Sequence, residues 1–183
     1  MVTVLAMKTT DIHDTNYSWL RLFITLGIGL VANASMWLVV VIMPAVEIEF
    51  ALTRAETSLP YTLSMVGFGL GNFLIGRLVD RVGIVVALIG AAVGIMTSLI
   101  IATLARDIFE LAAIHFILGL VAAVGFAPLM SDISHWFLKW RGTAMALVAS
   151  ANYLSGAVWP TVLAGVLAES GWRQVYLSLT VIT

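Results

Sequence analysis

The chain has 183 residues, 61% hydrophobic and 10% charged, whereas soluble domains carry about 25% charged residues, so an ordinary soluble globular protein is excluded. Nine Lys and Arg against ten Asp and Glu leave a formal net charge of -1, which gives nucleic acid no basic surface to bind. The chain has no Cys, and this removes disulfides, thiolate metal sites, Cys nucleophiles and prenylation.

A bilayer core about 30 Å thick takes roughly 20 apolar residues per helix, so the chain has room for six spans. In chain order the apolar runs are residues 19–43, 58–78, 83–104, 109–130 and 143–168, each long enough to cross. A sixth run, residues 174–183, rises only about 15 Å as a helix. Span 6 therefore reads as truncated, and the chain as a piece of a longer protein. The predicted fold is an all-α, polytopic membrane helical bundle over residues 19–183. Residues 1–18 form an N-terminal segment without the apolar stretch and cleavage site of a secretory signal. No linker or low-complexity stretch divides the bundle.

Basic residues set the expected orientation. The N-terminal segment and the links between spans 2 and 3 and spans 4 and 5 hold Lys8, Arg21, Arg77, Arg81, Lys139 and Arg141. The other three links hold Arg54, Arg106 and Arg173, with most of the acidic residues. This asymmetry puts the N-terminus in the cytoplasm of a multi-pass cell-membrane protein, the inner membrane in a Gram-negative bacterium.

Within lipid, helices approach closely through small residues. Span 2 carries Gly67 and Gly71, span 3 carries Gly90 and Gly94, and Gly119, Ala122 and Ala123 line one side of span 4. Polar side chains at hydrocarbon depth must face protein or water. Span 1 offers Asn33 and Ser35, and span 4 offers His115. Span 5 places Asn152, Ser155, Gly156 and Trp159 along one stripe. Asn33, His115, Asn152, Ser155 and Trp159 are the candidate cavity residues. Each has a structural reading beside it: an interhelical hydrogen bond for the polar groups, a filler at the Pro160 bend for Trp159. His115 titrates near neutral pH and suits proton handling if water reaches it. No catalytic constellation or metal-ligand spacing is present, so neither an enzyme nor a cofactor or metal is expected.

The link between spans 2 and 3 reads Gly76-Arg77-Leu78-Val79-Asp80-Arg81-Val82-Gly83. It resembles the signature loop of the major facilitator superfamily, G-x-L-x-D-R-x-G. Ile84, Val85 and Val86 stand where the family usually continues with basic residues. The resemblance implies a cytoplasmic latch, with Asp80 beside a helix end of the other half, Arg81 fixing the loop, and Gly76 and Gly83 giving close packing and a tight turn. Gly171-Trp172-Arg173 is similar to the family's approach to span 6. His115 and Gly119 fall where many members carry an Arg and a Gly four residues apart. These matches imply the N-terminal six-helix half of a twelve-span fold, built from two inverted three-helix repeats.

The run Trp136-Phe137-Leu138-Lys139-Trp140-Arg141-Gly142-Thr143-Ala144 resembles monocarboxylate and oxalate/formate-type porters. The implied function is secondary active transport of a small organic anion such as a monocarboxylate, by alternating access, with or without a coupled proton. The implied partners are the small-molecule substrate, membrane lipids and a missing C-terminal half. The alternatives are an exporter of drugs or other hydrophobic solutes, and a non-transporting membrane module or inactive fragment.

Overall fold

A computed structural model of the chain describes residues 13–183. Lys8, Asp11 and the rest of residues 1–12 of the expected N-terminal segment lie outside the described residues. The first crossing is made of α1 (Asn16–Ala32) and α2 (Ala34–Glu49). The second is α3 (Arg54–Thr57) leading into α4 (Leu59–Val82), and the third is α5 (Ile84–Ala102). The fourth runs through α6 (Ile108–Ala122), a 3-10 turn at Ala123–Gly125, and α7 (Ala127–Ser134). The fifth is α8 (Arg141–Ser170), and α9 (Trp172–Ile182) begins the sixth. Five of these stretches are long and apolar enough to cross a membrane, and the described residues form no strand. The molecule is an all-α membrane bundle.

Most helices outrun their apolar runs because caps, not hydropathy, decide where backbone hydrogen bonding stops. Thr15 and Thr53 each close a capping box, with Ser18 and Glu56 respectively. The Asp107 carboxylate accepts from the N–H groups of Phe109 and Glu110 at the start of α6. Gly83 and Gly171 end α4 and α8 at φ +82° and +80°, a region that disfavours any side chain. Each turn leads directly into the next helix.

Span 1 packs on span 5, span 4 on span 2, and span 3 on span 6. Exchanging spans 1–3 with spans 4–6 maps this pairing onto itself, as two inverted repeats require. The closest approach is between α4 and α6. A Cβ on Gly67 would run into the Phe116 carbonyl, one on Gly71 into that of Leu120, and one on Gly119 into that of Ser64. The span 3 pair behaves differently. Gly90 has open space around it, and a Cβ on Gly94 would meet only the Val121 side chain, so this GxxxG does not bring two backbones together.

Polar contacts tie the loops at each end. At one end Arg21 of α1 donates to Asp132 of α7 at 2.9–3.2 Å and lies 4.4 Å from the Trp136 ring centroid. At the other, Arg173 pairs with Glu49 at 2.7 Å and donates to the carbonyls of Thr103 and Ala105. Trp172 donates its indole N–H to the same Glu49 carboxylate at 2.6 Å. Single ion pairs this exposed contribute little alone, but the Arg173 cluster joins three connections.

Candidate functional site

Both lead helices of the repeats are interrupted at mid-depth, span 1 at Asn33 and span 4 between Ala123 and Phe126. Interruptions free carbonyl and N–H groups that lipid cannot satisfy, and Asn33, Asn152, Ser155 and Trp159 gather at the break in span 1. Asn33 is wholly buried. Its Nδ2 donates to Gly29 O at 2.7 Å and to Gly125 O at 3.2 Å, and its Oδ1 accepts from Asn152 Nδ2 at 3.2 Å. Ser155 Oγ and Trp159 Nε1 both donate to Leu30 O, at 3.0 and 2.9 Å. The stripe on span 5 therefore completes the broken backbone of span 1. Trp159 is a hydrogen-bond donor here and not only a filler beside Pro160.

Span 4 is served from span 2 in the same way. Asn72 Oδ1 accepts from Ala127 N at 3.3 Å, and its Nδ2 donates to Phe68 O at 2.8 Å. Asn72 escaped the sequence reading. Gly125-Phe126-Ala127-Pro128 is a visible breaker in span 4, and an Asn at depth in a neighbouring span was the available signal for its partner.

Of the five predicted cavity residues, Asn152 lines an open cavity in the structure. The cavity, of about 180 Å³, is bounded by Met36 and Trp37 of α2, Tyr61, Met65 and Phe68 of α4, and Asn152 of α8. Among the described residues no charged side chain lines it. Trp37 is held in place by donating its indole N–H to the Asn152 carbonyl at 2.9 Å. A Cβ on Gly156 would fall 2.7–2.9 Å from Cε2, Cδ2 and Cζ2 of that indole, so the ring lies face-on against glycine backbone. Nothing in the local sequence singles out Trp37, because its position depends on a glycine more than a hundred residues away.

His115 sits elsewhere. It is wholly buried between spans 2, 4 and 6, with Nδ1 3.2 Å from Ser64 Oγ and Nε2 2.5 Å from the Tyr176 hydroxyl. The Ser64 hydroxyl can donate to the His115 carbonyl at 3.2 Å. Every group is then satisfied by one neutral tautomer: Nδ1–H donates to Ser64, and Tyr176 O–H donates to Nε2. The geometry places His115 in a helix interface, apart from the cavity that Asn152 lines.

The structure puts Asp80 and Arg81 in the last turn of α4 and not in a loop, at the end held by Arg21 and Asp132. Asp80 and Gly76 border a cavity of about 250 Å³ with Asn72, Val79, Ala127, Pro128 and Ser131. Asp80 and Arg81 are exposed and form no ion pair among the described residues. Gly83 turns the chain from α4 into α5 at φ +82°. Gly76 does not serve close packing within this bundle, since a Cβ there meets nothing within 4 Å. Nearby, Asp14 bonds the loop before α8, accepting from the N–H groups of Leu138, Lys139 and Trp140 at 2.9–3.3 Å. The Lys139 N–H, against some desolvation and helped by Leu138, Trp140 and the His13 charge, holds its carboxyl below the usual carboxylate range.

The Major Facilitator Superfamily profile matches residues 25–183. The chain belongs to that superfamily. The fold fits an N-terminal half of the major facilitator architecture. The chain is 31% identical to the fujikurins efflux protein of Gibberella fujikuroi over 57% of its length and 23% of that protein. It is 30% identical to the MFS-type transporter pytF of Aspergillus terreus, over 56% of this chain and 35% of that one. A probable sulfoacetate transporter, SauU of Cupriavidus necator, is 25% identical over 74% of this chain and 32% of its own length. The chain thus spans between 23% and 35% of the length of these major facilitator relatives.

Proposed function

We propose that this major facilitator chain is the N-terminal half of a secondary active transporter that moves a small organic solute by alternating access. The observation that carries the reading is the cavity over Trp37 and Asn152, where spans 1, 2 and 5 leave an aromatic-lined opening beside the two helix interruptions. Rocking of one half against the other would expose such a site to each side in turn. The exposed Asp80 and Arg81 are the groups available to latch the cytoplasmic side, with the N-terminal segment in the cytoplasm of the cell membrane.

An organic anion, the class implied by the monocarboxylate-type resemblance and by the sulfoacetate transporter's name, needs a cation or several N–H donors when it leaves water. The cavity offers neither charge. Its lining instead favours a hydrophobic solute, the reading that also fits the efflux protein among the relatives. The test is counterflow in proteoliposomes holding the complete protein, comparing monocarboxylates, sulfoacetate and hydrophobic solutes. Saturable counterflow of any of them supports the reading. Its absence across the panel, with folded protein in the membrane, would favour a non-transporting module.

A further inference from the structure

The cavity between spans 1, 2 and 5 is built around one side chain whose position is over-determined. Trp37 is pinned by its N–H to the Asn152 carbonyl at 2.9 Å. Its ring has no room to sink further, because Gly156 already presents bare backbone to one face. The Asn152 amide that flanks it is itself fixed by donating to buried Asn33. An aromatic ring that is immobile before a ligand arrives loses little conformational freedom on binding.

The surrounding chemistry narrows the ligand further. Phe68 and Tyr61 add two aromatic walls and Met36 and Met65 two polarisable thioethers, groups that favour contact with ring faces and edges. The polar atoms left at the rim are neutral: the Tyr61 hydroxyl and the Asn152 Oδ1, neither of which has a hydrogen bond among the described residues. Among the described residues no Lys, Arg, Asp or Glu lines the space. On this wall either sign of charge would be desolvated without a counter-charge from the described residues, whereas an uncharged ring would not.

We propose that Trp37, held flat on Gly156 by the Asn152 carbonyl, is a stacking platform for an uncharged planar aromatic solute that is the substrate class of this transporter. The inference rests on the transport reading above for the word substrate, but the binding site itself does not. Specificity then comes from ring shape and neutrality, with Asn152 and Tyr61 supplying one acceptor and one donor for a polar substituent.

The probes are three naphthalenes with one ring system and different charge: 2-naphthol, 2-naphthoate and 2-naphthyltrimethylammonium. Their binding to the complete protein in detergent is measured by titration calorimetry at neutral pH. With stacking as the main attraction and no counter-charge, 2-naphthol binds at least about tenfold more tightly than either ion. Trp37→Leu keeps apolar bulk but no ring face and weakens 2-naphthol by roughly tenfold, while Trp37→Phe, which keeps a ring face but loses the N–H bond to Asn152, weakens it by less. If Trp37→Leu gives no cooperative melt, Met65→Ala, at a half-exposed cavity wall, replaces it and weakens 2-naphthol by at least about threefold. Equal or tighter binding of either ion, or unchanged 2-naphthol affinity in the folded variant, overturns the platform. Counterflow separates the two readings. Tight 2-naphthol binding without any counterflow removes the transport reading and leaves the platform standing. Saturable counterflow of another solute that 2-naphthol does not inhibit and Trp37→Leu does not slow overturns the platform alone.

Discussion

Asn33 Nδ2 lies 3.2 Å from the carbonyl oxygen of Gly125, so the interruption of span 1 is bonded to the interruption of span 4. The two breaks touch because Gly125 has no side chain: a Cβ there would come within 2.8 Å of the Ala32 Cβ. One amide side chain thereby joins both repeats at mid-membrane.

Removing that amide leaves the buried Gly125 O short of a donor and Asn152 Nδ2, at the cavity edge, without its acceptor. Asn33→Ala is expected to lower stability by about 1–3 kcal/mol, read as a drop in melting temperature of the detergent-solubilised protein. Asn33→Ala with Asn152→Ala should cost less than the sum of the two single changes, since they share one hydrogen bond. Additive losses would show that the two amides act independently.

The two GxxxG pairs should respond in opposite ways. Gly67→Ala drives a methyl into the Phe116 backbone, which cannot move aside as a side chain end would, and the expected cost is about 1–3 kcal/mol or more. Gly90→Ala enters open space and gains helix propensity of up to about 1 kcal/mol. Size-exclusion profiles and melting temperatures of the two variants decide the matter.

Asp14 adds an acid-dependent attachment. Its carboxyl is held below the usual range in the folded chain, so its contribution is present above its unfolded value, about 3.9, and is lost as pH falls through the lower folded value. Asp14→Asn should therefore melt earlier than the native protein at neutral pH. The difference should narrow below about pH 4. Hydrogen exchange at Leu138, Lys139 and Trp140 reads the same attachment locally, and equal protection in both proteins at neutral pH would contradict it.

His115 is expected to behave as a packing residue, because its ring nitrogens are both engaged in a closed, neutral network. Tyr176→Phe strands Nε2 and should cost about 1–3 kcal/mol. His115→Gln should leave the pH profile of uptake by the complete protein unchanged while lowering its melting temperature. A shifted profile would give the imidazole a titrating role.

Asp80→Asn keeps the side chain's shape in the last turn of α4 and removes its charge. A carboxylate at the N-terminus of a facing helix contributes about 0.3–1 kcal/mol, and up to about 2 kcal/mol when partly buried, so the latch reading expects uptake to fall by up to roughly tenfold at equal membrane abundance. Cysteine placed at Thr53 should label from outside intact cells, and at Thr143 should not; the reverse pattern would invert the topology.

Length, composition and breaker residues were enough to count the spans, because crossing a bilayer demands long apolar runs whatever they pack against. The stripe of Asn152, Ser155 and Trp159 was equally legible, since helical spacing alone puts those residues on one face. Its partner was not. In helices that are apolar all round, no water-facing side exists to orient each span. The facing is set instead by where backbones can approach and where freed backbone groups need donors. Gly67 and Gly90 look alike in sequence, yet only Gly67 meets a carbonyl. Trp37 looks like any apolar residue until Gly156 and the Asn152 carbonyl come to it from span 5. Those choices belong to the tertiary structure because a hydrogen bond or a glycine contact between distant spans leaves no periodic mark in either one.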